Sequence, residues 1–119
     1  MNDRHAETMK RMVDAILTTP GDTGTSLRQA IEARAAALGG LPGQENAGEL
    51  PTNITKYVDK VALHAYKTTD ADIENLLQAG YSEDAIFEIT LSAALGAGLA
   101  RLERGLAALK GEIDATEKR

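Results

Sequence analysis

Apolar residues recur along this chain at intervals of three and four, never in sustained alternation. That period is helical, and it predicts an all-α fold with no sheet. Met9, Met12, Val13, Ile16 and Leu17 give a first helix, which Pro20 and Gly21 stop. Leu27 to Leu38 give a second, capped by Thr25 or Ser26 and closed by Gly39 and Gly40. Ile54, Val58, Val61 and Ala65 mark the stripe of a third, starting near Thr52 or Asn53. Thr69 and Asp72 have the spacing of a capping box for a short fourth helix ended by Gly80. Ser82 then caps a long fifth helix from Glu83 to about Lys110, with Glu83 and Asp84 in the first turn, where the helix dipole favours them.

The fifth helix carries two apolar faces. Leu91, Leu95, Leu99, Leu102, Leu106, Leu109 and Ile113 form a coiled-coil-like seam. Ala93, Ala94, Gly96, Ala97, Gly98 and Ala100 form a row of small residues. Each mid-helix Gly costs about 1 kcal/mol relative to Ala, so these glycines point to close approach by a neighbouring helix. The connector Gly39–Pro51 is rich in Gly and Pro and reads as a loop within a single domain spanning 1–119.

Composition changes this picture in one respect. With one Phe, no Trp and three Tyr, the core material is mostly Ala and Leu, and a lone monomer buries little area per side chain. The expectation is a homo-oligomer, a dimer or trimer, joined through the long C-terminal helix. The net charge of -5, with no cluster of Lys and Arg, argues against a nucleic-acid partner. No segment is expected to span a membrane, and the N-terminus lacks the apolar run of a signal peptide, so the expected location is cytoplasmic. The chain has no Cys, which removes disulfides, thiol catalysis and thiolate metal sites.

The stretch "YVDKVALHAYKTTDADIENLLQAGYSEDAIFEITLSAALGAGLARLERGL" resembles the alkyl hydroperoxidase D / carboxymuconolactone decarboxylase superfamily. The resemblance is carried by a T-D-x-D helix at Thr69–Leu76, a G-x-S-x-x-x-I-x-E turn at Gly80–Glu88, and Arg101. It covers about half the chain, best matched to the second half of the longer peroxidase-related members. It implies the helical fold of that superfamily with a long C-terminal helix. The family's peroxidases use a C-x-x-C-x-x-x-H motif. In one alignment its Cys slots fall near Ala65 and Thr68, with the His slot near Asp72. In another, Tyr57 and Lys60 take the Cys slots and His64 is the motif His. The nucleophile is absent in both, so the resemblance implies a cysteine-free member without thiol peroxidase activity, binding a small molecule or serving in assembly. The decarboxylase branch does not depend on the Cys pair. It leaves a rival reading, an acid–base decarboxylase or lyase on a small carboxylate.

Five residues are candidates for chemistry. His64 has the side-chain type for a general acid or base, or is a boundary His with a structural hydrogen bond. Glu88 interrupts an apolar run, where burial would raise its pKa towards catalytic use, or it pairs with a cation or faces water. Arg101 would clamp a substrate carboxylate, or bond a carboxylate of the protein or a helix C-terminus. Tyr57 and Lys60 lie on the same helix as His64 and are candidate substrate contacts. His5 with one other His makes no metal site, and neither a metal nor another cofactor is implied.

Overall fold

A computed structural model describes residues 3–41 and 49–111. Among them are five α-helices, one 3-10 turn and no strand. They are α1 (Asp3–Thr18), α2 (Thr25–Leu38), α3 (Thr52–His64), α4 (Asp70–Gln78) and α5 (Glu83–Leu109), with the 3-10 turn Ala65–Lys67 between α3 and α4. The all-α expectation and the single long C-terminal helix both hold. Residues 42–48 of the Gly/Pro-rich connector, and Ile113 at the end of the leucine seam, lie outside the described residues.

The caps follow from side-chain chemistry. Ser82 Oγ accepts from the Ala85 backbone N–H at the start of α5. Thr69 and Asp72 close the capping box of α4 from both sides. Gly80, at φ +104°, turns the chain out of α4 in a conformation that a Cβ would strain. The start of α2 differs from expectation. Thr25 is already helical, and the cap position belongs to Gly24, with no side-chain bond.

The core is a layer of aliphatic side chains in which Ile31, Ile54, Val58, Leu76 and Ile89 are fully buried. The α3 stripe is rotated from the expected one. Tyr57 and Ala62 are buried beside Ile54 and Val58, whereas Val61 is half-buried and Ala65 is exposed, because the helix ends at His64.

The small-residue row of α5 does what was expected of it at four of its six positions. Ala93, Gly96, Ala97 and Ala100 are buried, and Ala94 and Gly98 are exposed. A Cβ at Gly96 would lie 2.2 Å from the Glu32 carbonyl oxygen of α2, and one at Gly39 would lie 2.9 Å from the Ala97 carbonyl oxygen. At Gly98 there is open space. Gly96, not Gly98, is therefore the residue that lets α2 and α5 touch backbone to backbone. These contacts also show that α2 runs in the same sense as α5. The leucine seam is buried only at Leu95; Leu99 and Leu106 are half-covered, and Leu102 and Leu109 are exposed.

The expectation that no segment matches a membrane span in length and apolarity does not hold for α5, which is long and apolar enough by both measures. Half of its apolar window is buried inside the bundle. The core helix of a globular bundle passes the same test, because its apolar residues serve neighbouring helices instead of lipid.

Candidate ligand-binding cleft

Of the five candidate residues, the fold brings Tyr57 and Lys60 together and sends the other three elsewhere. Asn53, Lys56, Tyr57 and Lys60 stand at i, i+3, i+4 and i+7 on α3, which places them along one stripe. Asp72, Asn75 and Leu76 face them from α4. Between the two helices lies an open cleft of about 550 Å³ lined by these residues and Thr52.

Its walls are held by specific bonds. The Tyr57 ring is buried, and its hydroxyl lies 2.6 Å from Thr90 Oγ1 of α5. Thr90 Oγ1 already donates to the Ile86 carbonyl, so Tyr57 is the donor in this pair. Lys60 Nζ donates to both Asp72 carboxylate oxygens, at 2.8 and 3.0 Å. Asp72 Oδ2 also accepts from the Thr69 N–H at 2.9 Å. The bond from Lys60, then the one from Thr69, hold the Asp72 carboxyl below its ordinary pKa. Lys60 is thereby neutralised, while Lys56, exposed one turn earlier, makes no ion pair among the described residues. The first turn of α3 opens on the same cleft; the Ile54 N–H is taken by Asn53 Oδ1, and the Thr52 and Asn53 N–H groups have no acceptor within the helix. The net result is a concave site with one uncompensated ammonium, amide groups from Asn53 and Asn75, and the positive end of a helix.

His64 falls one turn beyond Lys60 but does not line the cleft. Its backbone leaves the helix at φ -144° and ψ 53°, and its exposed ring meets Tyr66 edge-on, centroids 6.0 Å apart. Tyr66 is itself 81% exposed.

Glu88 belongs to a different part of the molecule. Its Oε2 accepts from the Asp22 N–H at 3.0 Å, and its Oε1 accepts from the Thr23 N–H at 2.8 Å and from the Thr23 hydroxyl. Partial burial pushes its pKa up, as the sequence suggested. The three bonds and the charge of Arg28 outweigh that and leave it below the ordinary value. The upward shift of the catalytic reading is thus reversed, and the reason is the connector between α1 and α2, which supplies donors the local sequence does not reveal. Glu88 staples this connector to α5 as an ionised acceptor. It and His64 have separate partners, and neither lines the α3–α4 cleft.

Arg101 Nη2 donates to the Ala62 carbonyl in the last turn of α3. This is the helix C-terminus role, and it ties α3 to the middle of α5.

The sequence reading passed over Arg28. Only 3% exposed, it sends Nη1 to the Ile16 carbonyl at 2.6 Å and Nη2 to the carbonyls of Thr19 and Thr23. It caps the C-terminal end of α1 and ties that end and the following connector to α2. No motif marks such a role, because its three acceptors are backbone oxygens. Lys56, Asn53 and Asn75 were passed over too, although the 53–56–57–60 spacing was visible.

Set against known proteins, the chain matches no family model, no curated protein and no solved structure. The hydroperoxidase D resemblance rests on the motif residues alone.

Proposed function

We propose that this chain is a small-carboxylate-binding protein without thiol peroxidase chemistry, its ligand seated in the α3–α4 cleft. The reading extends the resemblance to a cysteine-free member of the hydroperoxidase D superfamily. A chain with no Cys has no thiolate to attack a peroxide bond. The observation that carries the binding reading is the alignment of Asn53, Lys56 and Tyr57 on one wall, opposite Asn75, with Lys56 uncompensated. A carboxylate takes a hydrogen bond from an ammonium and from amide N–H groups at once, and the α3 dipole favours its charge. With the Lys60 charge offset by Asp72, the site keeps a single net positive charge, suited to one carboxylate group.

The test is a titration of 15N-labelled protein with acetate, succinate and benzoate. Amide shifts should concentrate at residues 52–60 and 72–76. Lys56→Ala should weaken binding about five-fold, the size of one screened charge-assisted bond. His64→Gln should leave binding unchanged. Shifts confined to other surfaces, or a Lys56→Ala variant that binds like wild type, would refute the proposal.

A further inference from the structure

Away from the cleft, α1 and the C-terminal half of α5 form an apolar groove. It is lined by Ala6, Met9 and Val13 from α1 and by Leu99, Leu102 and Leu106 from α5, with Lys10 and Glu103 on its two walls. Glu88, near the start of α5, holds the connector just past the end of α1, while residues 6–13 and 99–106 line one groove, so the two helices are antiparallel. We propose that this groove is closed by a second copy of the chain, related by a two-fold axis parallel to the two helices, with Lys10 of each copy against the partner's Glu103.

Three observations converge on that occupant. The first is how little the groove face is covered. Of the apolar row of α1 only Leu17 is buried; Met9, Val13 and Ile16 are half-covered and Met12 is 46% exposed. On α5 Leu102 is 41% exposed and Leu109 83%. Two helices side by side over the 16 residues of α1 present a face about 24 Å long and about 20 Å wide. That is a footprint of about 480 Å², over half of the roughly 800 Å² per partner of a standard interface.

The second is charge. Lys10 and Glu103 both line the groove, each near the middle of its own lining segment, residues 6–13 and 99–106. Neither has an ion-pair partner among the described residues. Rotation by 180° about an axis along the groove lays the partner's α1 over α5, and α5 of the partner over α1, at unchanged heights. Each Lys10 then meets a Glu103 of the other copy, twice, and all neighbouring helices are antiparallel, as in an up–down four-helix bundle.

The third is an excess of negative charge beside Glu103. Glu32 of α2 is pushed up in pKa by burial and then by the charge of Glu103. Among the described residues no cation is bonded to this acidic pair, and the incoming Lys10 supplies one.

Analytical ultracentrifugation of the intact chain tests the proposal. Wild type should sediment as a dimer at micromolar concentration. Leu102→Asp should be monomeric with unchanged helical circular dichroism, since the parent side chain is already partly exposed. Lys10→Glu and Glu103→Lys should each weaken dimerisation about ten-fold, because two favourable contacts become repulsive. An equimolar mixture of these two variants should recover wild-type affinity as a heterodimer, a result that a purely intrachain Lys10–Glu103 interaction does not give. A monomeric wild type at about 100 µM, a trimer, a dimeric Leu102→Asp variant, or a mixture no tighter than its components would each overturn the proposal.

Discussion

Gly96→Ala and Gly98→Ala are the same chemical change two residues apart on one helix, and the structure gives them opposite signs. At Gly96 the new methyl would lie 2.2 Å from the Glu32 carbonyl oxygen, 3.0 Å from its carbon and 3.1 Å from Ala35 Cβ. The colliding atom is backbone, so no rotamer relieves it, and α2 must move away by about 1 Å. That movement loosens the Gly39–Ala97 approach and the packing of Ile31 and Ala35, both fully buried. Overpacking of this kind costs about 3 kcal/mol at its upper range. The helix propensity of Ala over Gly returns about 1 kcal/mol. The net loss is about 2 kcal/mol. At Gly98 nothing lies within 4 Å of the new methyl, so the propensity term stands alone and the variant gains between about 0.5 and 1 kcal/mol. Urea denaturation followed by circular dichroism measures both, at one fixed protein concentration because association adds to apparent stability. In thermal melts the pair should separate by about 10 °C. A Gly96→Ala variant as stable as wild type would refute the backbone contact between α2 and α5.

Glu88→Gln should lower stability at pH 7 by about 1 kcal/mol, by weakening the charge-assisted bonds to the 22–23 connector and removing the anion near Arg28. The folded-state pKa of Glu88 lies below the ordinary value, so its contribution is complete above the unfolded pKa and is lost as pH falls through the folded one. Wild type should therefore lose stability on acidification below about pH 5, and Glu88→Gln should lose less over the same range, keeping the part due to Asp72, which shifts in the same direction. An identical acid profile for the two proteins would count against the staple. His64→Gln should change stability by less than about 0.5 kcal/mol in the same denaturation assay, since the ring is exposed and meets Tyr66 edge-on; a loss above about 1 kcal/mol would show a buried role that the fold does not give it.

What the sequence determined by itself is local. Helix existence follows from the period of the apolar residues, and helix ends from residues whose side chains bond their own neighbours. Thr69 with Asp72, Ser82 and Gly80 did in the structure what their spacing predicts. The presence of a close-packed glycine on α5 was legible for the same reason: a mid-helix Gly carries a cost that something must offset. Which glycine it was, Gly96 or Gly98, depended on the rotation of α5 against α2, and that angle is set by the fit of two surfaces. The candidate site divides along the same line. Tyr57 and Lys60 share a helical face, so their joint presence in the cleft needed only α3. Glu88, Arg101 and His64 were assigned to chemistry on residue type, and their partners turned out to be the backbone of a distant connector, the last turn of another helix, and a neighbouring ring. Backbone donors and acceptors are identical at every position in the chain and leave no mark in its sequence. Only the packing of α1, α2 and α3 around α5 decides which of them a given side chain meets.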